Sequence, residues 1–95
     1  MTELTVVDVP SGHRYEIRRP DGVVAGTAYY ELQAGVVAFV HTEVDPAYEG
    51  QGVGGALARG ALDVVRSRGA RVRPLCPFMR GWIDRHPDYG DLVVS

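Results

Sequence analysis

Glu49-Gly50-Gln51-Gly52-Val53-Gly54-Gly55 separates a long apolar segment, which ends near Val44, from the most strongly periodic helical segment of the chain. Four glycines in six positions allow a sharp turn and leave backbone N–H groups unshielded by side chains. Because a helix follows at once, the unpaired donors of its first turn and the positive end of its dipole point to the same place. The stretch therefore predicts a loop that binds phosphate. The alternative is a loop that only turns the chain, which seldom needs so many glycines.

The segments before this loop alternate apolar and polar residues, as β-strands do. We expect four strands joined by short turns, over residues 4–9, 13–19, 23–32 and 36–44. Short connections of this kind favour an antiparallel meander. The last strand opens with five consecutive apolar residues, 36–40, which indicates burial on both faces and a central position in the sheet.

A helix is predicted directly after the loop. From Gly52 to Gly69, apolar residues recur at every third or fourth position and form one stripe. Gly60 lies in the middle of this helix, at a cost of about 0.5–1 kcal/mol relative to alanine. A glycine there predicts close packing against a neighbouring element.

Three shorter elements complete the expected fold. A strand over 71–76 follows the helix, and a return of this length places it parallel to the strand 36–44. A second helix is expected over 78–85, with Phe78, Trp82 and Ile83 in the core, and a small strand over 92–94. This order predicts a single α+β domain over residues 1–95, with a mixed, mostly antiparallel sheet and two main helices.

Composition excludes several classes of protein. A chain of 95 residues with a net charge of -2 lacks the basic balance of a general nucleic-acid binder. Its ten basic side chains are all arginine, so a phosphate contact must come from arginine or from the backbone. A single cysteine allows neither a disulfide framework nor a cysteine-only metal site, and no metal is expected. Without an apolar run of membrane-spanning length or a signal sequence, a cytoplasmic location is expected.

Two nucleotide-binding patterns fit the glycine loop poorly. Gly50-x-Gly52-x-x-Gly55 matches the dinucleotide fingerprint formally, but residues 45–49 separate it from the strand, and the acidic residue expected about twenty positions later is missing. A P-loop would need Gly-Lys-Ser/Thr, which is absent from this lysine-free chain. A nucleotide-binding fragment therefore remains a minor alternative.

Four motifs resemble the small, single-domain branch of the GNAT superfamily of acyl-CoA-dependent N-acetyltransferases: His41-Thr42-Glu43-Val44, Tyr48-Glu49-Gly50-Gln51-Gly52-Val53-Gly54, Pro74-Leu75-Cys76-Pro77-Phe78 and His86-Pro87-Asp88-Tyr89. They occur in the right order, and the likeness covers nearly the whole chain. In that superfamily the glycine loop has the pattern Gln/Arg-x-x-Gly-x-Gly/Ala. Gly52 and Gly54 match its glycines. Glu49 stands where glutamine or arginine is usual, a departure that recurs in the small branch.

The resemblance implies a binding site for acetyl-CoA. The N–H groups of Gln51, Gly52, Val53, Gly54 and Gly55 are expected to hold its pyrophosphate. A glutamate side chain cannot bind phosphate, so any contact at Glu49 must come from the backbone. The resemblance also implies that the strands 36–44 and 71–76 splay apart, and that pantetheine lies in this opening along the backbone of Glu43 and Val44.

Cys76 is the strongest candidate for a residue that takes part in a reaction. A lone cysteine on a strand is more often a small buried hydrophobic residue. In the small branch, however, a cysteine at this place lies near the thioester and has been proposed to take part in the reaction. Cys76 is therefore expected either to accept the acetyl group covalently or to line the site. Arg80 or His86 would increase its reactivity if the fold brought them close.

His41 and Glu43 are two residues apart on a strand and so share a face. Amine acetylation needs a neutral nitrogen, and deprotonating a lysine-like amine at pH 7 costs about 4.6 kcal/mol. A carboxylate or imidazole within reach of the amine would accept its proton and offset much of this free-energy cost. Each residue has a structural role as its alternative. His41 would be a hydrogen-bonded structural histidine, and Glu43 an exposed carboxylate at the strand end. In other superfamily members a glutamate on this strand is often the base, which favours Glu43.

The sequence thus predicts an acetyl-CoA-dependent N-acetyltransferase. The acceptor amine is unknown, and an open acceptor side would suit a peptide or protein. A non-catalytic acyl-CoA-binding or regulatory module is the alternative from another class.

Overall fold

The computed structural model describes residues 3–94. One five-stranded sheet has its strands in chain order: β1 (Thr5–Val9), β2 (Arg14–Arg18), β3 (Val24–Gln33), β4 (Val36–Val44) and β5 (Arg71–Pro74). Two α-helices, α1 (Val53–Ser67) and α2 (Pro77–Arg85), flank β5 in the chain. Short 3₁₀ segments occupy Pro10–Gly12, Pro46–Tyr48 and Pro87–Leu92.

The sheet has the predicted topology. β1 to β4 pair antiparallel in succession, and β5 pairs parallel to β4. The mixed, mostly antiparallel α+β fold is confirmed. β4 is flanked by strands on both sides, but only its residues 37–39 are buried, and Val40 is already exposed.

Two predicted elements differ from the structure. The strand predicted over 71–76 ends at Pro74, because the N–H of the next residue, Leu75, donates back to the carbonyl of Arg73 instead of pairing with β4. The strand predicted over 92–94 is a single bridge between Val72 and Val93, since Leu92 belongs to a 3₁₀ segment.

Helix α1 covers one face of the sheet. Its apolar stripe is buried, and Leu57 of α1 and Ile17 of β2 both lie beside Gly26 of β3. Gly60 packs so closely against β1 that an added Cβ would overlap the side chain of Val6. The close packing predicted for Gly60 is thereby confirmed, and it explains why the helix tolerates a glycine at its centre.

The opposite face of the sheet carries charged residues. Glu16 is only 6% exposed, although it lies on the face that α1 leaves uncovered. Nε of Arg14 donates to Oε2 of Glu16 over 2.7 Å, and Nε and Nη2 of Arg18 donate to Oε1 over 2.8 and 2.6 Å. These hydrogen bonds hold the pKa of the Glu16 carboxyl below its ordinary value of 4.5, and the bond from Arg14 contributes most.

We expect Glu16 to make stability acid-sensitive. Because its pKa is lowered in the folded chain, its stabilising contribution is present above about pH 4.5 and is lost as the pH falls through the folded pKa. Glu16→Gln should lower the free energy of unfolding at pH 7 by about 1–3 kcal/mol and flatten its decline in acid. Urea denaturation between pH 7 and pH 3 measures both effects.

Glu31→Gln is the matched control, because Glu31 is exposed and lies on a neighbouring strand. A Glu16→Gln variant whose stability fell in acid as steeply as that of the unmodified chain would contradict this role of Glu16.

Candidate functional site

A gap opens between β4 and β5, where the parallel pairing stops. The two strands pair only from Val36–Arg71 to Phe39–Pro74, whereas β4 continues to Val44. The N–H of Cys76 makes a last bond to the carbonyl of Phe39, over 2.8 Å. Pro77 has no N–H and begins α2, so the chain turns away at this point.

A β-bulge at Val40 turns the peptide groups of β4 beyond it. The register with β3 shifts between Tyr29, opposite His41, and Tyr30, opposite Phe39. The N–H of Asp45 donates to Ala25 of β3. Because successive peptide groups of a strand point to alternate edges, those of Thr42 and Val44 face the gap, and that of Glu43 faces β3.

This geometry bears on the predicted pantetheine contacts along the backbone of Glu43 and Val44. The peptide group of Val44 faces the gap, as does that of Thr42, which the sequence did not single out. The peptide group of Glu43 faces β3, so a pantetheine contact there would have to involve its side chain. The bulge that causes this arrangement has no signal in the sequence.

Two of the loop glycines are required by the backbone conformation of the loop. Gly50 and Gly52 have φ angles of +78° and +75°, which side chains disfavour, and an added Cβ would meet nothing within 4 Å at either. Gly52 caps α1 without a side-chain hydrogen bond, and the first turn holds no acidic residue. The first-turn N–H donors therefore face an open, uncapped surface that suits an anion.

The other two glycines make room for α2. An added Cβ at Gly54 would lie 2.9 Å from Cζ of Phe78 and 3.5 Å from Cγ2 of Val44. One at Gly55 would lie 3.4 Å from Nε1 of Trp82. Phe78 is 37% exposed, so its predicted core position is wrong, whereas Trp82 is buried as predicted. Phe78 instead lies beside Gly54 at the start of α1, where Val44 at the end of β4 is also close.

Cys76 lies at the narrow end of the gap. Its side chain is buried, at 4% exposure, and its Sγ is 3.4 Å from Oγ1 of Thr42, with either atom as donor. Within residues 3–94, neither of the two residues named as possible activators makes a side-chain hydrogen bond to Cys76. The ring of His86 stacks on Trp82 at 3.8 Å, and Arg80 is exposed and bonds Cys76 through the backbone, from its N–H to the Cys76 carbonyl.

His41 and Glu43 lie together on the uncovered face of the sheet. Nε2 of His41 is 3.5 Å from Oε1 of Glu43, and both side chains are 61% exposed. The ring of Tyr29 stacks beside His41, with centroids 6.1 Å apart. Thr42 points to the opposite face from its two neighbours. The structure thus groups His41 with Glu43, and Cys76 with Thr42, on the two sides of β4.

The profile of the GCN5-related N-acetyl-transferase family matches residues 14–92. The chain belongs to this family. A solution NMR structure of a GCN5-like candidate N-acetyltransferase from Staphylococcus aureus has a similar fold, with a TM-score of 0.72 over 100% of this chain and 92% of that chain. The two sequences are 19% identical, so this likeness shows the fold alone. No curated protein matches the chain at a significant level.

A groove of about 290 Å³ lies across β4 from the gap of this GCN5-related chain. The first residues of β3 form one wall and the end of β4 the other, and the lining residues are Val24, Ala25, Gly26, Thr27, Glu43, Val44, Asp45 and Pro46. The gap and the groove therefore share Val44, and Glu43 stands at the border of both.

The described residues contain neither a metal-binding group nor a membrane-spanning helix. Among residues 3–94, no group of three or more histidine, cysteine or carboxylate side chains is arranged to hold a metal ion. Nor is any helix within that range both long enough and apolar enough to span a membrane.

The contact between Gly54 and Phe78 can be tested by substitution. We expect Gly54→Ala to lower the free energy of unfolding by about 1 kcal/mol, because the methyl group would overlap the ring of Phe78. Combined with Phe78→Ala, the same change should be neutral or stabilising, since alanine favours a helix by about 0.5–1 kcal/mol. Denaturant unfolding of the four proteins gives the coupling.

Gly90→Ala controls for glycine replacement itself, because no atom lies within 4 Å of an added Cβ there. If Gly54→Ala changed the free energy of unfolding equally with and without the Phe78 ring, contact with this ring would not be the reason for a glycine at position 54.

Proposed function

We propose that this chain transfers the acetyl group of acetyl-CoA to an amine, as a single catalytic domain over residues 1–95 in the cytoplasm. One observation carries the proposal. An unpaired backbone edge, at Thr42 and Val44, runs from the buried thiol of Cys76 to the uncapped start of α1. This edge suits a ligand that has amide groups in its middle, a phosphate at one end and a reactive thioester at the other.

The residues present fit acetyl-CoA. The amide groups of pantetheine would pair with the free edge of β4 as an added strand does. The N–H groups of residues 51–55 would bind the pyrophosphate, each charge-assisted bond contributing about 1.5–3 kcal/mol. Gly50 and Gly52 leave space beside these donors, because a Cβ at either would meet no atom within 4 Å. When bound, acetyl-CoA supplies the thioester carbon that is attacked.

Glu43 is the proposed base, with His41 beside it. The carboxylate takes a proton from the acceptor ammonium, and the neutral nitrogen then attacks the thioester carbonyl. The new C–N bond replaces the C–S bond, which breaks and releases the thiolate of CoA. The second proton of the nitrogen leaves to solvent or to that thiolate. The exposure of Glu43 leaves it accessible to an amine from solvent.

Cys76 has two proposed roles, and the geometry bears on both. Its burial beside Thr42 suits a residue that lines the thioester end of the gap. The same position would let the thiolate accept the acetyl group and pass it to the amine. The second role predicts a chain heavier by one acetyl group, about 42 mass units, after mixing with acetyl-CoA alone.

Turnover with defined acceptors tests the function. We expect acetyl-CoA to bind in calorimetry and to release free thiol only when a peptide amine or another amine is present. Glu43→Gln should lower kcat by about 10²–10⁴-fold at neutral pH while leaving acetyl-CoA binding intact. Glu31→Gln, which removes an exposed carboxylate on β3 away from the proposed site, is the matched control.

The outcomes separate the alternatives. Binding of acetyl-CoA without amine-dependent thiol release would exclude the proposed acetyltransferase activity and favour a non-catalytic acyl-CoA-binding module. Thermal protection by NAD or ATP but not by CoA would indicate a nucleotide-binding protein instead. Full turnover by Cys76→Ala would exclude the covalent route and leave direct transfer.

A further inference from the structure

We propose that the indole N–H of Trp82 binds a phosphoryl group at the start of α1, and that the motif His86-Pro87-Asp88-Tyr89 holds the indole in position for this. The assignment rests on the proposed function, in which the phosphoryl group belongs to acetyl-CoA. It adds a side-chain donor to a site made so far of backbone groups. It also gives a role to a motif that the proposed function leaves without one.

Trp82 carries a donor without a partner. Its side chain is buried, at 4% exposure. An indole N–H can only donate, and in buried tryptophans it usually has an acceptor. Within residues 3–94, no acceptor bonds Nε1 of Trp82, and the only polar side-chain atom that is fully buried without a partner is Nε of Arg19. Nε1 of Trp82 therefore reaches the surface, where a ligand can accept its hydrogen.

Gly55 brings this donor to the start of α1. Nε1 lies 3.4 Å from the position that a Cβ on Gly55 would take. Gly55 belongs to the first turn of α1, and the Cα–Cβ bonds of a helix tilt toward its N-terminus. The indole N–H thus lies alongside the first turn, whose backbone donors have no partners in the helix. No acidic residue of that turn competes for these donors.

Two neighbouring groups hold the plane of the indole. The ring of His86 stacks on it, with 3.8 Å between centroids and 13° between planes, and Nδ1 of His86 donates to the carbonyl of Trp82 over 2.7 Å. The guanidinium carbon of Arg59 lies 5.4 Å from the centroid of the indole. Because the ring is held in this way, its donor has a fixed direction before a ligand binds.

Tyr89 holds Arg59 in turn. Nη1 of Arg59 donates to the hydroxyl of Tyr89 over 3.2 Å, and this hydroxyl donates to Oδ1 of Asp63 over 2.6 Å. The ring of Tyr89 also meets the indole edge to face, with centroids 5.2 Å apart. Both ends of the motif therefore contact the indole, one by stacking and one through its edge and through Arg59.

A phosphoryl group is the ligand that suits these donors. The indole N–H and the backbone N–H groups of the first turn all need acceptors, and the start of a helix favours negative charge. A diphosphate offers several charged oxygens at once, whereas an amide of pantetheine offers one neutral carbonyl. We therefore expect CoA to bond to Trp82 through its diphosphate, and pantetheine, which has no phosphate, to leave the indole N–H free.

Trp82 is the only tryptophan of the chain, so its indole N–H gives a single NMR signal. The protein is titrated at constant ionic strength with CoA, inorganic pyrophosphate or pantetheine. CoA and pyrophosphate should both move this signal downfield, because a charged acceptor makes a stronger hydrogen bond. Pantetheine should leave it in place. A signal that neither CoA nor pyrophosphate moves, or that pantetheine moves as far as CoA does, would overturn the assignment.

Trp82→Phe keeps an aromatic ring at this position and removes the donor. Its Kd for CoA should rise about tenfold, because one hydrogen bond to a charged group is lost, and its Kd for pantetheine should stay the same. An unchanged Kd for CoA would contradict a phosphate-binding role of Trp82. If this variant does not fold, the titration of the unmodified chain decides alone.

Tyr89→Phe tests the positioning role of the motif. It should raise the Kd for CoA about two- to fivefold, and it should add nothing in the Trp82→Phe background, because Tyr89 acts through the indole. Tyr30→Phe is the matched control. Tyr30 is also 5% exposed, and its hydroxyl also donates to a carboxylate, over 2.7 Å to Asp8, but it lies on β3. Equal effects of the two tyrosine variants on CoA binding would overturn the role given to the motif.

Failure of the proposed function gives a different result. If CoA moved the indole signal but acetyl-CoA released no thiol with any amine, the acetyltransferase would be excluded and the assignment upheld. If acetyl were transferred while the indole signal stayed in place, the function would stand and the assignment would fall.

Discussion

The turn around Cys76 is the constraint on which the site depends. The N–H of Leu75 donates to the carbonyl of Arg73 over 3.0 Å instead of pairing with β4, and Pro77, which has no N–H, begins α2. Between these two points, Cys76 makes one bond to Phe39 and then leaves the sheet. Within residues 3–94, the peptide groups of β4 beyond Phe39 are thus left unpaired on one side. Such an edge can pair with a ligand or with another strand.

The glycine loop has two separate duties. Gly50 and Gly52 adopt left-handed conformations that place the chain correctly at the start of α1. Gly54 and Gly55 instead let Phe78 and Trp82 of α2 approach that same helix end. The glycine-rich stretch that predicts phosphate binding therefore also allows α2 to pack against α1. The proposed cofactor loop and this helix contact use neighbouring residues of one segment.

Much of the fold could be predicted from the sequence, because its signals are local. Alternation, turn residues and the period of α1 gave the meander, the helix and the parallel return. What could not be predicted depends on tertiary contacts. The bulge at Val40 redirects the peptide groups of Thr42 and Glu43, yet no residue type marks it. Phe78 is 37% exposed and lies beside Gly54 at the start of α1, a position that its apolar character does not reveal.

The proposed function depends on the backbone of β4 at Thr42 and Val44 being a free edge to which acetyl-CoA binds. Amide hydrogen exchange measures this at the two residues, with the amides of His41 and Glu43, which face β3, as internal references. We expect rapid exchange at Thr42 and Val44 in the free protein and slowing by about tenfold or more with saturating acetyl-CoA. Protection of both amides before the ligand is added, or no change after it, would show that this edge does not bind the cofactor.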